Sequence, residues 1–151
     1  MDEPAPRHTR PEGVDDATIE ALGKMSEAIE VVEDARGHLY RFHRMSGMAD
    51  LALGGGVDLL RQAGHAGLAD RVSAELVGRN VIEGRWTFQI VEEYDDGHYA
   101  TFKDCEEAAR TSLVGGRRHL VEAEMKEDRR THGRRHHEAR PHEAPVVDNT
   151  D

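Results

Sequence analysis

Apolar residues recur every three or four positions through long stretches of this 151-residue chain, and that period belongs to amphipathic helices. The first stretch follows Asp15 and Asp16, either of which can cap free backbone N–H groups. It carries Ile19, Leu22, Met25, Ile29, Val32, Leu39 and Phe42 on one stripe. Gly47, just after Ser46, marks a stop. A second periodic segment contains Leu53, Val57 and Leu60, breaks at Gly64-His65-Ala66-Gly67, and resumes with Leu68, Val72, Leu76 and Val77. Arg79–Gly84 loses the period and reads as a connection.

From about Trp86 another long helix carries Phe88, Val91, Tyr94, His98, Phe102 and Cys105, with Gly97 weakening its middle. Val114-Gly115-Gly116 is a tight turn, and Leu120, Val121 and Met125 mark a last helix ending near Thr131-His132-Gly133. Nowhere does the alternation of a strand occur. The predicted fold is all-α, an antiparallel up-and-down helical bundle over 15–132 with its second helix broken near Gly64–Gly67. The two longest helices are about 30 residues, or about 45 Å at 1.5 Å per residue. Residues 1–14, with Pro4, Pro6, Pro11 and Gly13, are expected to be disordered, and 133–151 to form a flexible Arg/His-rich tail.

Hydrophobic residues make up 37% of the chain and charged residues 33%, which limits it to a thin core beneath solvated helix faces. A lone cysteine cannot form an intrachain disulfide, and no secretion signal opens the sequence, so a cytoplasmic location is expected. No run approaches the roughly 20 apolar residues that span a bilayer. The net charge is −10, yet from Arg129 onward five arginines face four acids. Nucleic acid is therefore expected to bind weakly at most, through Arg129–Arg140, because the acidic body repels polyanions.

Gly54-Gly55-Gly56 could form a backbone nest for phosphate, but no Gly-Lys-Ser/Thr follows and no strand precedes it. Close approach of another helix, or a weak helical segment, explains the glycines better. Among the histidines, Asp95-x-x-His98 and the reversed His119-x-x-Glu122 have the i,i+3 spacing by which bundles bind metals. They cannot share one ion, since His98 lies about 23 Å along the axis from His119 in a hairpin turning at 114–116. Counting from the other turns brings Glu30, Glu33 and His65 to the level of Asp95 and His98. These five form a candidate ligand layer, which as a metal site would take Fe, Mn or Zn. A polar layer that sets helix register is the simpler outcome, with no cofactor bound.

Cys105 shares the stripe of Phe102 and reads as a buried, inert thiol. The acidic run Glu92, Glu93, Asp95 and Asp96 reads as a solvated helix face. His137-Glu138 with His142 has HExxxH spacing, and Pro141 breaks the helix that would align the two imidazoles. No nucleophile, base and oxyanion site can be placed together. The function expected is non-enzymatic: a helical protein acting through self-association, most simply as a homodimer, or through partner binding. The alternatives are a metal-binding bundle using the layer around His98 and a regulatory protein whose arginine tail contacts nucleic acid.

Overall fold

Asp15 opens the first helix by accepting the Thr18 N–H at its Oδ1 (2.8 Å), and this bond holds the Asp15 carboxyl below the usual carboxylate range. In the computed structural model, which describes residues 3–140, α1 then runs over Asp16–Gln62. It is followed by α2 (Ala66–Glu75), α3 (Thr87–Tyr94), a π-turn (Asp95–Tyr99), α4 (Ala100–Val114) and α5 (Leu120–Arg129). The fold is all-α: the described residues contain no strand, only an isolated bridge between Ile82 and Arg85 in the connection after α2. None of the described helices is long and apolar enough to cross a membrane.

Gly47, marked as a stop by the sequence pattern, instead lies inside α1, as do Gly54, Gly55 and Gly56. Helix propensity is a weak prior, and a single glycine or a short run of them does not by itself end a helix that continues on either side. The break falls where the pattern places it, between Gln62 and Ala66, but it ends the first long helix rather than a second one. Gly64 there has φ +86°, the left-handed geometry that closes a helix end. A Cβ on Gly47 would meet nothing within 4 Å. Gly47→Ala is therefore expected to raise stability by about 0.8–1 kcal/mol, measured by urea unfolding.

The helices divide between two compact units, one formed by the segments up to Glu27 and from Asp104 onward, the other by Ala28–Lys103. The first is centred on Ile19, Val114 and Leu120, with Val14, Leu22 and Val121 packed around them. Gly23 belongs to this packing, since a Cβ there would come 2.9 Å from Val121 Cγ2. The N-terminal segment forms a 3₁₀ turn at Pro6–His8. It is tied down by Arg10, whose guanidinium donates to both carboxylate oxygens of Glu124 (2.9 and 3.0 Å) and to Asp16 (2.6 Å). Towards the chain end Arg130 is buried and ion-paired with Glu127 (2.6 Å). The tail positions Pro141 and His142, and all those after them, lie outside the described residues.

In the second unit Val57, Ala69 and Val91 are buried. α2 returns along α1, fixed by the Arg61–Asp70 ion pair and by Asp50, whose Oδ1 accepts the Gly78 N–H (2.7 Å). α3 runs antiparallel to α1: His43 bonds the Thr87 hydroxyl (2.7 Å) near one end, and Tyr99 donates to Glu33 near the other. The start of α3 is secured by Gln89, which accepts the Trp86 N–H at 2.9 Å.

Candidate association surface

Two opposite faces of α1 within residues 28–62 have different chemistry. The inner face is fastened to the π-turn by one cation. Arg36 donates through Nε and Nη2 to the two oxygens of Asp95 (2.7 and 3.1 Å), a bidentate pairing. Its guanidinium lies 5.0 Å from the ring centre of Tyr40 and 4.7 Å from that of Tyr99. Tyr40 donates to Asp95 Oδ2 (2.9 Å), and Lys103 Nζ sits 4.4 Å above the Tyr99 ring. Pairing with Arg36, assisted by Tyr40, holds the Asp95 carboxyl below its ordinary range against a smaller opposing effect of burial. The same bond raises the Arg36 guanidinium. Glu33 accepts the Tyr99 phenol and raises its pKa, since the bond and the nearby negative charge both disfavour phenolate.

This network absorbs part of the layer foreseen from spacing. Glu33 and Asp95 join it as acceptors, each already engaged. Glu30 is exposed, and His98 is exposed with its ring against Tyr94 (5.7 Å) and Phe102 (5.8 Å). His65 sits in the turn after α1, about 39 Å beyond the level of Arg36 at 1.5 Å per residue, because α1 runs on to Gln62 instead of turning at Gly47. Among the described residues no three His, Cys, Asp or Glu side chains are grouped so as to hold a metal ion.

The displacement of His98 has a local cause. At the π-turn the Ala100 N–H bonds the Asp95 carbonyl, an i to i−5 link that inserts one residue into the helical period. The stripe before the turn, through Val91 and Tyr94, therefore continues through Tyr99 and Phe102 rather than through His98. After it, the more enclosed positions are Phe102, Glu106, Arg110 and Val114. Cys105 falls off that stripe and is exposed, contrary to the buried thiol that an uninterrupted period implies. Arg36 was not singled out by spacing, although Arg36 and Tyr40 at i,i+4 on one face are a readable cation–π signal.

The outer face of α1 is apolar. Met45, Met48, Leu51 and Leu59 are 54–78% exposed, and Asp50 is the one charged residue from Met45 to Val57, its carboxylate turned to Gly78. Met45, Met48, Ala52, Gly55 and Leu59 follow one another at alternating three- and four-residue spacing, the seam of a helix-to-helix contact. A Cβ on Gly54, Gly55 or Gly56 would meet nothing within 4 Å, so no other part of the described chain uses the room these glycines leave. Comparison with known proteins adds no relative: no protein family, no curated protein and no solved structure matches this chain.

Proposed function

We propose that the chain is a non-enzymatic helical protein that works by pairing with a second copy of itself through the outer face of α1. The observation that carries this reading is the uncharged seam from Met45 to Leu59, exposed although three consecutive glycines weaken the helix beneath it. Each glycine costs about 1 kcal/mol relative to alanine, and nothing within the described chain offsets that cost. A helix crossing close to the backbone would.

The seam is complementary to itself. If two copies of α1 run antiparallel about a twofold axis at Ala52, Met45 of one faces Leu59 of the other. Met48 then faces Gly56, a large side chain against a small one, and Ala49 faces Gly55, where the two backbones can approach closely. Arg44 is brought beside Asp58 of the second copy, so the flanking charges agree with this pairing. A contact of this kind excludes water from side chains that are otherwise wet, at about 25 cal/mol per Å² of apolar surface.

Light scattering on the full chain at micromolar concentration should give twice the 16.9 kDa of one chain. Met48→Glu and Gly55→Leu should each return it to a single copy, because one puts a charge into the seam and the other fills the space a neighbour needs. Both positions are solvent-facing, so the far-ultraviolet spectrum should stay helical. A parent protein that remains a single copy at hundreds of micromolar would defeat the reading.

A further inference from the structure

The link between α4 and α5 reads Gly115-Gly116-Arg117-Arg118-His119, and it folds with Arg7 and His8 into an open cleft of about 540 Å³ within the first unit. Gly115 (φ 61°), Gly116 (φ 77°) and His119 (φ 60°) are all left-handed, which bends the link tightly enough to present consecutive basic side chains to one space. The cleft walls are held by neutral acceptors. His8 Nδ1 donates to the Arg118 carbonyl (3.2 Å), Arg117 Nη1 to the Thr9 carbonyl (2.6 Å), and Arg7 Nε to His8 Nε2 (3.2 Å). The rings of His8 and His119 lie 6.3 Å apart.

None of these bonds neutralises a guanidinium. No carboxylate lines the cleft, and Glu122 approaches only His119, at 4.0 Å. Among the described residues the Arg118 side chain has no hydrogen-bond or ion-pair partner, and the terminal nitrogens of Arg7 have none either. Other arginines of this unit, such as Arg10, Arg110 and Arg130, each face a carboxylate. Three unneutralised guanidinium groups gathered at one cleft of a chain of net charge −10 repel one another unless an anion lies between them. Guanidinium forks match phosphate oxygens two at a time, and a cleft of this volume admits a small molecule.

We propose that this cleft binds a small phosphate-bearing molecule, with its phosphate held by Arg7 and Arg118 and flanked by Arg117. Dianionic phosphate suits the site better than a carboxylate, because it offers more acceptor oxygens to donors arriving from both the N-terminal segment and the α4–α5 link. The imidazoles of His8 and His119 add donors at the same rim.

The test is calorimetric titration of the full chain with inorganic pyrophosphate at low and at physiological salt. The expected result is saturable one-to-one binding that weakens with salt. Arg118→Ala and Arg7→Ala, both at exposed side chains, should each weaken it by about tenfold or more. Arg134→Ala and Arg135→Ala, each of which alone removes equal charge elsewhere, should each change it by less than about twofold. Absence of saturable binding, or equal binding by Arg118→Ala and parent, would overturn the assignment. So would a single-stranded oligonucleotide that binds through Arg118 more tightly than pyrophosphate and is not displaced by it, since that ligand is a polymer and not a small molecule.

Discussion

Replacing Leu120 with alanine is expected to lower the stability of the chain by about 3 kcal/mol, within the 2–5 kcal/mol range for truncating a buried leucine. Leu120 is the first residue of α5 and is buried against Ile19 and Val114. A helix as short as Leu120–Arg129 is marginal by itself in water, so it depends on the apolar contacts it makes with the rest of its unit. The cluster around it is small, and its neighbours Val14, Leu22 and Val121 are only partly buried, which leaves few side chains able to move into the gap. Urea unfolding should show a lower midpoint at unchanged slope. Leu113→Ala provides the contrast: that leucine is 49% exposed, and its truncation should cost well under 1 kcal/mol. Equal losses for the two leucines would show that the cluster does not hold this unit together.

Arg110→Ala is expected to cost a similar amount, about 3 kcal/mol, for a different reason. Arg110 is buried, donates through Nε to Glu106 (3.0 Å) and through Nη1 to the Gly116 carbonyl (2.8 Å). It therefore joins α4 to the first residues of the link that follows. Removing it leaves the Glu106 carboxylate, itself little exposed, without its partner, and frees a carbonyl in a left-handed turn. Arg110→Ala combined with Glu106→Ala should cost less than Arg110→Ala alone, because the orphaned charge is then absent. Arg110→Lys should recover only part of the loss, since an ammonium cannot reach both acceptors in the fixed fork of a guanidinium. Additive single and double variants would mean that the two side chains act independently, against the geometry.

The helical class was legible because its cause is local and repeated. Ile19 and Leu22 at one end, and Val91 and Tyr94 at the other, mark the buried sides of their helices as the period implies. The break before Ala66 and the turn at Gly115–Gly116 were legible through glycines that occupy left-handed geometry there, and the connection at Arg79–Gly84 through its loss of the helical period. Gly47 carried the same letter without that geometry. A glycine within a helix and a glycine ending one differ in backbone angle, which neighbouring contacts decide.

The site was less legible because the candidate layer depended on where the helices turn and on an unbroken period. Extension of α1 to Gln62 placed His65 far from Asp95, and the π-turn moved His98 outward while drawing Tyr99 towards Glu33 and Arg36. Both effects are set by cooperation between segments distant in sequence. The exposed seam of α1 was foreshadowed only by the general expectation of self-association, and its location required knowing which side Val57 and Asp50 face.

The π-turn also governs where this chain can gain or lose length. Within a regular helix, adding or deleting one residue rotates every later side chain by about 100°, which would carry Tyr99 and Phe102 off the side set by Val91. A π-turn already holds one surplus residue in its wider loop, and Gly97 there has no side chain engaged with a neighbour. Between Thr87 and Lys103 it is thus the place where a residue can be dropped while the flanking faces keep their orientation. Elsewhere in that helix the spacing of residues is as constrained as their identity, and related sequences should preserve the count even where they change the letters.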